Sequence, residues 1–158
     1  MKSMRLEEQV VATLKDKGYR ISLAESCTGG LAAATIVSVA DASSVLDVSF
    51  VTYANVAKEK YLGVLENTIT QHGVVSEEVA EQMALGVAKE AGSQVGIGIT
   101  GVAGPSGGTE KKPVGMVCFG ISINGKVTTY TKQFGEIGRN EVRNKSVEFV
   151  FKQLLERL

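Results

Sequence analysis

The feature that most constrains the fold is the alternation of helix-like and strand-like segments over the first hundred residues. Apolar residues recur at helical spacing in some segments, whereas others are short, β-branched and nearly all apolar. The spacing predicts helices over 5–17, 31–39, 56–62, 66–72, Ser76 to Gly92 and 139–158. It predicts strands over 20–24, 45–53, 95–100, 114–123 and 126–134, the last two joined by the hairpin turn Asn124-Gly125.

Helices alternating with strands, closed by an antiparallel hairpin, predict an α/β fold, a three-layer α/β/α sandwich with a mixed central sheet. Small residues in the strand VGIGIT (95–100) indicate close packing of a helix. The chain has 158 residues, of which 44% are hydrophobic, so we expect one domain spanning 1–158. Ligands of open sheets gather beyond the carboxyl ends of the strands.

Composition limits the partners. Seventeen Lys and Arg balance seventeen Asp and Glu, so neither nucleic acid nor an anionic membrane is an expected partner. The N-terminus lacks a signal peptide, and no stretch reaches the ~18 apolar residues of a membrane span. Cys27 and Cys118 show no metal-site or disulfide pattern, which favours a reducing cytoplasm. We therefore expect a cytoplasmic protein without a metal or other cofactor.

The turn AESCTGG (24–30) links a predicted strand to a predicted helix. Backbone N–H groups at such a helix start suit an anion, or the developing oxyanion of an attacking Ser26. Ser26 or Thr28 could equally be an ordinary helix cap, and the turn matches neither a phosphate loop nor a dinucleotide fingerprint. The turn alone leaves these three interpretations open.

A nucleophilic Ser26 needs a base. His72, the one histidine, lies beside Gly73 at a predicted helix end and is interpreted as a turn residue. Lys58 follows a strand that should end at the same sheet edge as Ser26, and a partly apolar pocket would lower its pKa toward neutrality. Taken alone, a lysine in a short helix is usually a solvated charge. Tyr53 could hydrogen-bond either partner.

The longest irregular segment, 101–113, is rich in glycine and contains lysines, which is typical of an anion cradle and also of a mobile surface loop. Arg139 and Arg143 are four apart on one predicted helix face and could clamp a phosphate or be solvated. The candidate substrate-binding residues are Thr28, Gly29, Gly30, Asn55, Thr100, Gly101, Gly104, Gly107, Gly108, Arg139 and Arg143.

Together these segments resemble the C-terminal domain of the CinA family, and more closely its stand-alone nicotinamide mononucleotide amidohydrolases. The resemblance covers nearly the whole chain, and its motifs are specific in combination. The matching stretches are AESCTGG (24–30), SFVTYANVAK (49–58), LGV (62–64), HGVVSEEVA (72–80), ITGVAGPSGGTEKKPVG (99–115) and GEIGRNEVR (135–143).

The resemblance implies a cytoplasmic hydrolase that converts nicotinamide mononucleotide to nicotinic acid mononucleotide and ammonia in pyridine-nucleotide salvage. It implies a serine–lysine pair without a metal, which maps onto Ser26 and Lys58 with Tyr53 alongside. It also implies that Thr100, Gly101 and the following loop help bind substrate. We expect a homodimer, for which the apolar helices 31–39 and 142–155 could supply an interface, although the sequence itself does not fix the oligomeric state.

Two positions depart from the family pattern. Many relatives have Asn-Glu-Ala-Lys where this chain has Asn55-Val56-Ala57-Lys58, and Gly-Ser-Ser where it has Ala42-Ser43-Ser44. Neither departure removes Ser26 or Lys58. We expect no counterpart of the first domain of full-length CinA proteins.

The alternative functions are a non-catalytic nucleotide- or phosphate-binding module linked to competence or DNA damage, and an amidase acting on another amide. A metal-dependent hydrolase ranks below both, because the sequence offers no cluster of His and carboxylates.

Overall fold

A computed structural model describes residues 4–158. It contains one five-stranded mixed sheet, six α-helices and a short 3₁₀ turn at Ala42–Ser44. The helices are α1 (Leu6–Lys17), α2 (Leu31–Val37), α3 (Asn55–Leu62), α4 (Glu66–His72), α5 (Glu77–Ala91) and α6 (Arg139–Arg157). The strands are β1 (Ile21–Glu25), β2 (Leu46–Val51), β3 (Val95–Gly101), β4 (Met116–Ile123) and β5 (Lys126–Gln133).

The strand order is β2-β1-β3-β4-β5. β1 pairs in parallel with β2 and β3, whereas β4 is antiparallel to both β3 and β5. Helices α1, α2 and α6 cover one face of the sheet, and α3, α4 and α5 cover the other. The predicted three-layer α/β/α sandwich with a mixed sheet is confirmed. Because β1, β2 and β3 run in parallel, their carboxyl ends meet at one edge.

Local signals set most element boundaries. The Ser76 side chain accepts a hydrogen bond from the Val79 N–H at 3.2 Å, which is the predicted N-cap of α5. Gly92 ends the same helix in the left-handed region. The predicted β4 was two residues too long at its start, because Gly115 has φ +90° and turns the chain before Met116.

Glycines let α5 lie very close to the sheet. A Cβ on Gly98 would lie 2.4 Å from the Ala80 carbonyl oxygen, and one on Gly120 would lie 2.5 Å from the same atom. A Cβ on Gly96 would lie 2.2 Å from the Ala84 carbonyl oxygen. The small residues of β3 therefore mark a helix–sheet contact too close for any side chain, as the sequence predicted.

We predict that Gly98→Ala lowers the free energy of unfolding by about 3 kcal/mol, the upper end of overpacking effects, because the opposing atom belongs to backbone and cannot rotate away. Gly63→Ala is the control, since its Cβ would meet nothing within 4 Å and only its φ of +73° opposes it. That control should cost about 1–2 kcal/mol. Urea unfolding measures both, and equal losses would contradict the close-packing account.

Candidate active site

A cleft of about 280 Å³ opens at the edge where β1, β2 and β3 end. Its volume is close to the ~300 Å³ lower end for small-ligand sites. Three segments contribute to it: the turn after β1, the segment from Tyr53 to Lys58 and the loop after β3. The lining residues are Ser26, Cys27, Tyr53, Asn55, Lys58, Val74, Val75, Thr100, Gly101, Val102, Ala103, Gly104, Ser106, Gly107 and Arg139.

Ser26 directly follows β1 and is held by its backbone. Its N–H donates to the Ile99 carbonyl at 3.1 Å, which extends the pairing with β3 by one residue. Its carbonyl accepts from the Gly29 N–H at 3.0 Å, which closes a tight turn. The serine hydroxyl is therefore presented to the cleft from a fixed backbone.

Lys58 reaches Ser26 from helix α3. Its side chain is 1% exposed, and its Nζ lies 3.1 Å from the Ser26 Oγ. The same nitrogen donates to the carbonyl oxygens of Thr52 at 2.7 Å and Tyr53 at 3.2 Å. Burial lowers the pKa of Lys58 from 10.5 to about 8. Within the described residues no carboxylate oxygen lies within 4.0 Å of this nitrogen to offset that effect.

The partners of Lys58 also orient its lone pair. A neutral amine has two N–H groups, and the carbonyls of Thr52 and Tyr53 can accept both. The ammonium form donates its third N–H to the Ser26 Oγ at 3.1 Å, whereas in the neutral amine the lone pair takes that direction and can accept the Ser26 hydroxyl proton. This geometry suits general-base activation of a serine.

Cys27 follows Ser26 and lines the cleft as a thiol. Burial raises the pKa of the Cys27 thiol to about 12, so it stays protonated at neutral pH. Its backbone N–H interacts with its own sulfur, which partly offsets that rise in pKa, and donates to no backbone carbonyl. The Thr28 N–H donates to no acceptor among the described residues, whereas the Gly29 N–H donates to the Ser26 carbonyl.

The Glu25 side chain accepts hydrogen bonds from the first turn of helix α2. This fully buried carboxylate accepts the Ala32 N–H at 2.9 Å and the Ala33 N–H at 3.0 Å. The sequence assigned Thr28, Gly29 and Gly30 to substrate binding, but none of them lines the cleft. The sequence did contain a signal for this contact. An acid at the end of an apolar strand is expected to be buried, and a buried carboxylate requires hydrogen-bond donors nearby.

The loop after β3 forms the opposite wall. The N–H groups of Ala103, Gly104, Ser106 and Gly107 find no acceptor within residues 4–158. Consecutive free amides of this kind attract anions. Gly108 does not line the cleft, because it packs so closely on Val114 that a Cβ would lie 2.8 Å from the Val114 nitrogen.

The lysines of this loop, Lys111 and Lys112, do not line the cleft. Lys112 donates from Nζ to the Val75 carbonyl at 2.6 Å, which ties the loop to the segment before α5. The Thr100 hydroxyl donates to the Val74 carbonyl at 3.0 Å and fixes the same segment. Val74 and Val75 form an apolar wall that the sequence did not reveal, because only the tertiary fold brings this segment to the edge.

Arg139 and Arg143 have different partners, and only Arg139 lines the cleft. Arg139 donates from Nη1 to the Gly104 carbonyl at 2.7 Å and from Nη2 to the Tyr53 hydroxyl at 2.9 Å, so it bridges the rim of the cleft. Arg143 does not line the cleft, because its Nη2 donates to the Thr28 carbonyl at 2.9 Å. Tyr53 touches Lys58 through its carbonyl, whereas its hydroxyl faces Arg139.

His72 ends helix α4, with its Nδ1 3.7 Å from a Glu78 carboxylate oxygen, and does not line the cleft. In residues 4–158, no three His, Cys, Asp or Glu side chains cluster as a metal site would require. Nor does that part of the chain contain a helix with the length and apolarity needed to span a membrane.

Known proteins share both the sequence and the fold. The model of the CinA C-terminal domain matches residues 3–158. A CinA-like protein of Kosmotoga olearia is 50% identical over 144 residues, which are 91% of this chain and 35% of that protein. The chain thus spans about a third of the length of several curated relatives that it matches.

Other relatives match over their whole length. A protein of Enterobacter agglomerans named nicotinamide-nucleotide amidohydrolase PncC is 46% identical over 153 residues, 94% of this chain and 93% of that protein. The crystal structure of competence/damage inducible protein CihA from Agrobacterium tumefaciens aligns with a TM-score of 0.92 at 38% identity, covering 99% of this chain and 98% of that one. Sequence and fold agree, and the chain belongs to the CinA C-terminal domain family.

Proposed function

We propose that this protein hydrolyses the carboxamide of nicotinamide mononucleotide to nicotinic acid mononucleotide and ammonia, in pyridine-nucleotide salvage. The observation that carries the proposal is the 3.1 Å contact between the Ser26 Oγ and the buried Lys58 Nζ. The amidohydrolase name of the Enterobacter agglomerans relative supports the reaction and the substrate.

Acylation begins with proton transfer. Neutral Lys58 takes the hydroxyl proton of Ser26, and the Ser26 Oγ forms a bond to the carboxamide carbon. The carbonyl oxygen becomes an oxyanion. The N–H of Cys27, the residue after the nucleophile, is the donor that we assign to it, since no backbone carbonyl accepts this N–H. Protonated Lys58 then gives its proton to the amide nitrogen, the C–N bond breaks and ammonia leaves.

Deacylation repeats the proton transfers with water. Lys58 takes a proton from water, the hydroxide forms a bond to the acyl carbon, and the bond to the Ser26 Oγ breaks. Lys58 returns the proton to that oxygen, and the carboxylic acid formed loses its proton to solvent and leaves as the carboxylate product. Neither stage needs a metal or another cofactor.

The phosphate of the substrate belongs at the other end of the cleft in this proposal. Arg139 lines that end and uses only two of its five N–H donors on Gly104 and Tyr53. The free amides of 103–107 lie in the same loop. The α2 start is a poorer phosphate site, because the Glu25 carboxylate already takes two of its amides.

We predict that Ser26→Ala and Lys58→Ala each lower ammonia release from nicotinamide mononucleotide by at least about 10³-fold, because each removes one half of the nucleophile–base pair. Lys60→Ala is the matched control, since this lysine lies in the same helix but is exposed. Undiminished turnover by Ser26→Ala would contradict the mechanism. If turnover then disappeared in Cys27→Ala, the nucleophile would be the thiol.

We predict that Arg139→Ala raises KM for nicotinamide mononucleotide about 10- to 100-fold, the range for losing a hydrogen bond to a charged group, with a small effect on kcat. Nicotinamide riboside lacks the phosphate, so the same substitution should hardly change its kcat/KM. Arg143→Ala should leave the preference for nucleotide over riboside unchanged. Equal losses for both substrates in Arg139→Ala would place the phosphate elsewhere.

A further inference from the structure

Glu25 is a buried charge next to the proposed nucleophile. It is the last residue of β1, it is fully buried, and Ser26 follows it. Its oxygens accept the N–H groups of Ala32 and Ala33 at 2.9 and 3.0 Å. Because both oxygens are engaged with backbone, Glu25 is not free to act as the base, but it ties the Ser26 turn to helix α2.

The cleft itself carries only positive side-chain charge among the described residues. Lys58 and Arg139 line it, and no Asp or Glu does. A carboxylate bound beside Ser26 would therefore be attracted by cations from within the cleft. Glu25, the buried residue that precedes Ser26, carries a negative charge that opposes this attraction.

The electrostatic effect of Glu25 reaches the cleft surface. The pKa of the Cys27 thiol is raised chiefly by burial, and the Glu25 carboxylate raises it further, whereas Lys58 lowers it. Cys27 lines the cleft beside Ser26. The charges of Glu25 and Lys58 thus act with opposite sign at the Cys27 thiol, in the residue that follows Ser26.

We propose that Glu25 is a positioning and specificity-determining residue, which fixes the Ser26 turn through α2 and whose charge weakens binding of the carboxylate product relative to the neutral carboxamide. The inference rests on the proposed function, because amide hydrolysis is what replaces a neutral group with an anion at this position. Release of the product is then favoured by the same residue that holds the nucleophile.

Two substitutions separate charge from positioning. Glu25→Gln removes the charge and keeps the length, but its NH2 group cannot accept the second of the Ala32 and Ala33 N–H groups. The charge is therefore read from an affinity ratio: the affinity for nicotinic acid mononucleotide, measured by calorimetry, should rise about tenfold relative to that for the substrate, or about 1.4 kcal/mol. Glu25→Asp keeps the charge but shortens the reach to Ala32 and Ala33. It should lower kcat while leaving the ratio of product to substrate affinity unchanged.

A third measurement compares the product with a neutral analogue. The affinity for nicotinic acid mononucleotide relative to that for 3-acetylpyridine mononucleotide, a neutral isostere of similar shape, should be about tenfold higher in Glu25→Gln than in the wild-type protein. An unchanged ratio would overturn the role of the charge. Leu14→Ala is the control for lost stability, since this buried residue of α1 lies outside the cleft, and it should leave the affinity ratio unchanged.

These experiments distinguish failure of the Glu25 inference from failure of the proposed function. An unchanged affinity ratio in Glu25→Gln would overturn the charge role, and an unchanged kcat in Glu25→Asp would overturn the positioning role. If the wild-type protein released no ammonia from nicotinamide mononucleotide, the proposed function itself would fail.

Discussion

The burial of the Lys58 amine against the Ser26 hydroxyl is the interaction on which the account of this site depends. A buried ammonium without a carboxylate partner is unfavourable, and the fold tolerates it because two backbone carbonyls and one hydroxyl surround it. The folded pKa is about 8, below the ordinary 10.5, so the unfolded chain binds more protons between these pH values. Burial of Lys58 therefore weakens the fold below about pH 8, and that penalty is relieved as the pH rises toward 10.5.

The sheet geometry brings this pair together. Parallel pairing of β1 with β2 and β3 places Ser26, the start of α3 and the loop after β3 at one edge. Close contact of α5 with the glycines of β3 and β4 keeps that sheet tightly covered on the α3 side. Glu25 then anchors the Ser26 turn to α2 on the other side, so both helical layers hold the same turn.

Sequence patterns predicted much of this arrangement. The alternation of elements predicted the layers, and the rule that ligands bind beyond strand ends placed the Ser26 turn, the segment to Lys58 and the loop after Thr100 at one edge. The same reasoning missed that the Ala32 and Ala33 amides at the start of α2 are already bonded, because it did not consider that Glu25 could accept them. It also missed Val74 and Val75, because the contacts that bring this segment to the cleft join residues far apart in sequence.

The most direct test is the titration of Lys58 itself. Carbon-13 NMR of protein labelled at the lysine Cε, with the Lys58 resonance assigned by its loss in Lys58→Met, gives the midpoint without any assumption about substrate. The structure predicts a midpoint at about pH 8, well below the ordinary 10.5. A midpoint near 10.5 would show an ordinary solvated lysine and would contradict its role as the base for Ser26.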